Sequence, residues 1–308
     1  MSEFKHISVL LNEAVDALNI KPDGIYVDGT AGAGGHSYEI AKRLTTGRLI
    51  SIDRDPEAIA AAGKRLAEFS CCTLVNAKFS QIAEILDNLQ IDKVDGILLD
   101  LGVSSHQLDT AERGFSYHFE APLDMRMGNV GATAADLVNN LSEQELISIF
   151  YKYADEKFAP KIAKRIVEQR TSSPITTTSQ LAQLISDCYP NKFKRDGHPA
   201  RKVFQALRIA VNDEFCEEEK ALKDGFERLN SKGRFSVITF HSSEDRLVKQ
   251  SFSEHCKGCT CPPEFPVCVC GNKPKAKQVF RKPVTASQQE LSQNPRSRSA
   301  KLRAIEKI

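Results

Sequence analysis

The chain lacks any apolar run near the ~20 residues that a membrane-spanning helix requires. Its first residues, Met1-Ser2-Glu3-Phe4-Lys5-His6, also lack the charged and then apolar pattern of a signal peptide, so a cytoplasmic location is expected. There is no Gly-Lys-Ser or Gly-Lys-Thr, which excludes a nucleotide-binding P-loop. There is no internal repeat, and therefore no solenoid. The nine cysteines are odd in number and follow no secretory signal, which argues against a disulfide framework.

What is present is an ordinary globular balance. Hydrophobic residues make up 41% and charged residues 27% of 308, enough for one large core or a core with a smaller second unit. The net charge of +2 hides two basic segments. Residues 161–202 carry nine Lys and Arg against three Asp and Glu, and residues 273–308 carry ten against two. The rest of the chain is acidic as a consequence. Such a distribution points to a polyanion held at defined places, with solvated helix and tail surfaces as the plainer alternative.

The first hundred residues alternate between helix-like and strand-like patterns. Strands are expected at Ile25-Tyr26-Val27, Arg48 to Ile52, Thr73-Leu74-Val75 and Val94 to Leu101. Helices are expected at Val9 to Leu18, Ser37 to Leu44, Pro56 to Phe69 and Ile82 to Leu89, the third with Pro56 suited to its first turn. This alternation predicts a parallel, doubly wound α/β sheet with right-handed crossovers. The rhythm stops after Leu101. A turn-rich stretch follows, and from Ala134 to about Leu229 every periodic segment reads as helix, the last of them Arg201 to Leu229. Arg234 to Phe240 then returns as a buried strand. The expected organisation is a discontinuous core of residues 1–107 and 217–308, interrupted by a helical substrate-recognition insertion at 108–216.

The first strand runs into Asp28-Gly29-Thr30-Ala31-Gly32-Ala33-Gly34-Gly35-His36. Glycines here permit positive φ and close approach of backbone to a ligand, and the next helix offers its N-terminal N–H groups. A glycine-rich turn alone also suits a dinucleotide. Two features favour S-adenosylmethionine. Asp28 would repel a pyrophosphate but accept hydrogen bonds from a methionine ammonium, and Ser37 occupies the third-glycine position of the dinucleotide fingerprint. Asp53, ending the second strand, is placed to hold ribose hydroxyls, as such carboxylates do in both cofactor classes. Asp100 ends the fourth strand, where the ligand crevice of an open α/β sheet lies, and could face both a cofactor and an incoming amine.

A resemblance then becomes specific. Asp28-Gly29-Thr30 with Gly34-Gly35-His36-Ser37, Asp53-Arg54-Asp55-Pro56 and Asp95 to Ser105 occur in order with Glu112-Arg113-Gly114-Phe115-Ser116 and Pro122 to Met127. Gly197-His198-Pro199-Ala200, Phe204 to Ile209, Phe240-His241-Ser242, Glu244-Asp245-Arg246 and Asn294 to Arg303 follow. Together they resemble the ribosomal RNA small subunit methyltransferase H family, from His6 to Arg303. The chain departs from that pattern at His106 and Ser243. The resemblance implies a Rossmann-like class I S-adenosylmethionine-dependent methyltransferase with an inserted helical domain. The implied reaction is methylation of the exocyclic N4 of a decoding-centre (P-site) cytidine in 16S ribosomal RNA of the small ribosomal subunit. The implied cofactor contacts are Gly34, Gly35 and His36, Asp53 at the ribose, Phe79 against the adenine, and Asp100 with Gln107 completing the pocket.

Asp100 is the leading candidate to accept the hydrogen bonds of the amine or to hold the cofactor, and sequence does not separate the two roles. His241 could face the cytidine, or simply begin the helix at Ser242; His6 is a weaker candidate. The segments around Lys161, Lys164, Arg165, Lys192, Lys194, Arg195, Arg201 and Lys202, and around Arg296, Arg298, Lys301 and Arg303, are expected to meet RNA backbone. A homodimer is left open. No metal is counted in the active site. Five cysteines crowd between Cys256 and Cys270, and Cys256, Cys259, Cys268 and Cys270 form a CxxC and CxC set that could hold zinc, the alternative being reduced loop thiols. The rival classes are a nicotinamide oxidoreductase on a similar sheet and a non-catalytic RNA-binding module.

Overall fold

The computed structural model describes residues 8–190, 198–262, 265, 267 and 269–308. The chain divides into two compact units, one formed by residues up to Gly102 and from Cys216 onward, the other by Val103–Phe215. The sequence reading set these breaks at 107 and 216. No helix among the described residues is long and apolar enough to cross a membrane.

The first unit is built on seven strands. They are β1 (Ile25–Asp28), β2 (Arg48–Asp53), β3 (Cys72–Asn76), β4 (Val94–Asp100), β5 (Leu229–Thr239), β6 (Ala276–Gln278) and β7 (Lys301–Lys307). Their spatial order is β3-β2-β1-β4-β5-β7-β6. The first five run parallel, whereas β7 pairs antiparallel with β5 and with β6. The sheet is therefore mixed at one edge, where sequence predicted only parallel strands. Chain order reverses between β1 and β4, and this is the switch point at which open α/β sheets bind ligands.

Alternation along the strands divides the buried residues between two faces. Tyr26, Leu49, Leu98 and Ile238 pack with α1 (Leu11–Ala17), α2 (Gly35–Ala41) and α3 (Pro56–Arg65). Val27, Ile50, Ile97, Leu99 and Val237 pack with α4 (Ile82–Asn88), with the part of α11 (Glu214–Glu227) that belongs to this unit, and with α12 (Ser242–Cys256). Burial on both faces explains why these strands read as continuous apolar runs. α3 starts where Asp55 accepts the Glu57 N–H, with Pro56 in the first turn. A short α13 (Gln288–Gln293) precedes β7.

The second unit has its own core, centred on Leu146, Phe150, Ile162, Ile166, Leu181 and Leu207. It contains α5 (Ser105–Asp109), α6 (Ala134–Asn140), α7 (Glu143–Ala154), α8 (Ala159–Ser172), α9 (Thr178–Cys188) and α10 (Ala200–Asn212). Capping boxes start four of these helices: Ser104 with Gln107, Thr133 with Asp136, Ser142 with Glu145, and Thr177 with Gln180. The single helix expected from Arg201 onward is two helices, because Asp213 adopts φ 51° in the left-handed region and breaks it.

Candidate active site

The carboxyl ends of four adjacent parallel strands, β2, β1, β4 and β5, bring Asp53, Asp28, Asp100 and the segment Phe240-His241 to one edge of the sheet. The turn after β1 is held from both sides. Gly29 N–H donates to Leu98 O of β4 at 2.9 Å, and Ala31 N–H donates to Ile52 O of β2 at 2.9 Å. Gly34 ends the turn at φ 79°, a conformation that costs a side-chain-bearing residue roughly 1–2 kcal/mol. At Gly35 a Cβ would collide with the Ser8 hydroxyl. Both positions therefore favour glycine, Gly34 through its backbone conformation and Gly35 through the space that Ser8 occupies.

Asp53 takes the place foreseen for it. It accepts the Gly32 N–H at 2.8 Å and the Asp55 N–H at 2.9 Å, which ties the end of β2 to the glycine turn. Burial raises its carboxyl above the usual range. Phe79 begins a single helical turn after β3, and its Cβ lies against the space beside Gly29. Asp53 and Phe79 thus flank the turn as a ribose ligand and an adenine platform would.

Asp28 is placed differently from the sequence expectation. It is fully buried beneath the turn, with one oxygen accepting from the Ser37 hydroxyl at 2.6 Å and the other from the Thr30 N–H at 3.2 Å. Ser37 also bonds the Ser51 hydroxyl at 2.8 Å. Asp28 therefore shapes the turn from below. Burial pushes its carboxyl up to about 6 despite those donors.

Asp100 carries the open valence. Its N–H donates to the Thr30 hydroxyl at 2.6 Å, fixing the strand end to the turn. Its Oδ1 is enclosed and accepts no hydrogen bond among the described residues, although 23% of the side-chain surface remains open. Burial, then repulsion from Asp28 and Glu244, lifts this carboxyl well above the usual range. His36 Nδ1 stands 3.8 Å from Asp100 Oδ2. The other ring nitrogen, Nε2, meets the Val9 carbonyl at 3.1 Å and must donate to it, since a carbonyl only accepts. An enclosed carboxylate oxygen without a donor is costly, so the site fits a cofactor ammonium or an incoming amine there.

His241 is the N-cap of α12: its Nδ1 accepts the Glu244 N–H at 3.3 Å, and Glu244 reaches back to the His241 and Phe240 N–H groups at 3.1 and 2.8 Å. Its Nε2 lies 2.8 Å from Glu244 Oε1. The helix-entry reading of His241 accounts for these contacts. Glu244, fully buried beside Asp100's strand, is a site residue that sequence reasoning missed. Its signal was the His-x-x-Glu capping spacing. Gln107 belongs to the second unit, where it forms a capping box with Ser104 and donates to Met127 O at 3.4 Å.

Several basic residues expected to meet RNA are occupied within their own unit. Lys161 Nζ donates to Cys188 O at 2.8 Å, Lys202 Nζ to Asp155 O at 3.1 Å, and Arg165 lies 3.6 Å from Glu168. Lys301 and Arg303 both bind Asp245, at 3.1 and 2.7 Å. His6, Lys192, Lys194, Arg195, Gly197 and Cys268 lie outside the described residues.

This strand order, with a glycine turn after β1, a carboxylate ending β2 and another ending β4 at the switch point, defines a class I S-adenosylmethionine-dependent methyltransferase. The chain belongs to the MraW methylase family, which it matches over residues 3–308. It is 55% identical to the ribosomal RNA small subunit methyltransferase H of Clostridium botulinum (strain Loch Maree / Type A3), covering 99% of this chain and 100% of that one. It is 54% identical to the protein of the same name from Lachnospira eligens, covering 99% and 98%. Among solved structures it is similar to a methyltransferase from Streptococcus mutans in complex with SAH, with TM-score 0.45, 11% identity, and 98% and 100% of the two chains covered. Family membership sets aside the nicotinamide oxidoreductase reading of the glycine turn.

Proposed function

We propose that this protein transfers a methyl group from S-adenosylmethionine to the exocyclic N4 of a decoding-centre cytidine in 16S ribosomal RNA. The observation that carries the chemistry is the Asp100 carboxylate at the switch point, flanked by His36 and Thr30, with an enclosed Oδ1 that accepts no hydrogen bond among the described residues. The acceptor follows from the curated relatives named ribosomal RNA small subunit methyltransferase H, and its N4 from the ordered motifs that resemble that family.

S-adenosylmethionine, when bound, supplies a methyl group activated by its sulfonium. The residues of the chain do the rest by positioning, which can supply much of the barrier reduction in a displacement. Gly34 and Gly35 let the turn approach the cofactor, and Asp53 and Phe79 fit its ribose and adenine. A cytosine amine is a poor nucleophile because its lone pair is delocalised into the ring. Asp100 Oδ1, which accepts no hydrogen bond among the described residues, would accept an N–H as the nitrogen becomes tetrahedral. No strong base is needed, because a methylated ammonium on this ring loses a proton readily. The base leaves its stack to reach the site, as nucleobase-modifying enzymes require. The basic segments at 161–202 and 273–308 supply phosphate contacts.

The test is methyl transfer to small ribosomal subunits from a strain lacking the enzyme, with the modified nucleoside identified by mass spectrometry. N4-methylcytidine is expected at one position. Label on a carbon atom, on another base or on protein would overturn the assignment.

A further inference from the structure

We propose that Cys259, Cys261 and Cys270 bind a structural zinc ion that clips the connection between α12 and β6. The sulfur geometry supports this directly. Zinc–thiolate bonds of about 2.3 Å in a tetrahedron set neighbouring sulfurs about 3.8 Å apart. Cys259 Sγ and Cys270 Sγ are 3.7 Å apart, and all three sulfurs lie within 4.8 Å of one another.

The backbone around the sulfurs is arranged for thiolates. Cys259 Sγ accepts the Cys261 N–H at 3.4 Å. Cys261 Sγ accepts the Val269 and Cys270 N–H groups, each at 3.3 Å. Cys270 Sγ accepts the Thr260 and Asn272 N–H groups at 3.3 and 3.5 Å. Gly271, at φ 63°, turns the chain so that the Asn272 N–H points back at the sulfur two residues earlier. A neutral thiol is a weak acceptor and gains little from this many donors, whereas a thiolate gains much more. Three thiolates this close repel one another, and a divalent cation removes that repulsion. Soft sulfur ligands in tetrahedral spacing select zinc among the common divalent metals.

The loop also needs such a clip. The chain from Lys257 to Lys275 has no helix or strand among its described residues, a length at which a structureless connection needs another source of order. Among its described residues apolar burial does not provide it, since Phe265, Val267 and Val269 are 50%, 70% and 73% exposed. The remaining ties are polar, with Asn272 Nδ2 donating to Lys257 O at 3.2 Å and to Gly258 O at 2.7 Å. Of the four cysteines read in the sequence, Cys259 and Cys270 are in this group and Cys268 lies outside the described residues. Cys261 joins Cys259 and Cys270, while Cys256, the last residue of α12, packs against the core of the sheet, where burial raises its thiol. On binding, three S–H bonds are replaced by three Zn–S bonds, three protons pass to solvent, and a water molecule would fill the fourth tetrahedral position.

The experiment is elemental analysis of the full-length chain, purified without added zinc and under reducing conditions. The Cys261→Ser, Cys270→Ser and Cys256→Ser variants are each first shown to bind S-adenosylhomocysteine as the parent does. About one zinc per chain is expected in the parent and in Cys256→Ser, falling at least about tenfold in the other two. The cobalt-substituted parent is expected to show thiolate-to-cobalt charge transfer that Cys261→Ser loses. Less than about a tenth of an equivalent of zinc in the parent would sink the proposal. So would iron in its place, a Cys259–Cys270 disulfide by mass, or full zinc retention in Cys261→Ser.

Discussion

At the scale of single residues, the four site acids do different work because their surroundings differ. Asp28 and Asp53 each accept two hydrogen bonds within the fold, whereas Asp100 keeps an enclosed oxygen without a donor among the described residues. Asp100 also faces the like charges of Asp28 and Glu244. An ionisable group held this way stabilises a ligand at the expense of the empty fold, which is the pattern expected of functional sites. Asp100→Asn keeps the shape and removes the charge. We expect it to lower methyl transfer by about 100-fold or more while the melting temperature stays level or rises. Turnover near that of the parent would remove Asp100 from the mechanism. A large drop in melting temperature would assign it to the fold instead.

At the scale of elements, β7 shows what keeps the sheet edge in place. Asp245 on α12 accepts from Arg303 at 2.7 and 3.2 Å and from Lys301 at 3.1 Å, joining the helix to the strand. Burial alone would raise the Asp245 carboxyl, but the Arg303 and Lys301 bonds outweigh it and hold the group below its usual range. Removing the acid leaves the mostly buried Arg303 guanidinium without its acceptor, while Lys301, 40% exposed, is taken up by water. Asp245→Ala should therefore cost about 2–3 kcal/mol in urea unfolding. A loss below about 0.5 kcal/mol would show that main-chain pairing with β5 suffices.

This strand was hidden in the sequence. Lys301-Leu302-Arg303-Ala304-Ile305-Glu306-Lys307 alternates, but its cations made it read as a basic, polyanion-binding tail, and the acid that pairs with two of them lies far back in the chain. β1, β2, β4 and the part of β5 from Arg234 were legible because burial on both faces writes continuous apolar runs, whereas the half-buried edge strand β3 was legible from its place in the alternation. The break at Asp213 was not, since a lone left-handed Asp leaves no mark in helical periodicity. In the site, the glycine turn, Asp53 and Asp100 could be read from their places at strand ends. That Asp28 points beneath the turn could not, because it depends on Ser37 and Ser51 meeting there.

At the scale of the whole molecule, the site edge sets a dependence on pH that opposes the rest of the protein. Asp95, Asp124, Glu217, Asp245 and Glu306 are held below their usual values in the fold, so their contributions are present near neutral pH and fade on acidification. Asp28 behaves in the opposite sense. Its carboxyl titrates at about 6 in the fold against 3.8 in a free chain. Between those values the folded state holds a proton that the unfolded state has released. The stability it contributes is therefore complete below about pH 4 and is lost as pH rises through about 6, a change on the order of 3 kcal/mol. Asp28→Asn retains an acceptor for the Thr30 N–H and cannot titrate. Comparing chemical unfolding of the parent and this variant without cofactor from pH 4.5 to 7.5, in roughly half-unit steps, reads the Asp28 contribution together with the part of Asp100's shift that Asp28 causes. The variant should gain on the parent progressively as pH rises, by about 1–3 kcal/mol in total, and then level off above about pH 7. A difference that stays flat across the range would mean that Asp28 is ionised throughout and that the buried turn tolerates its charge.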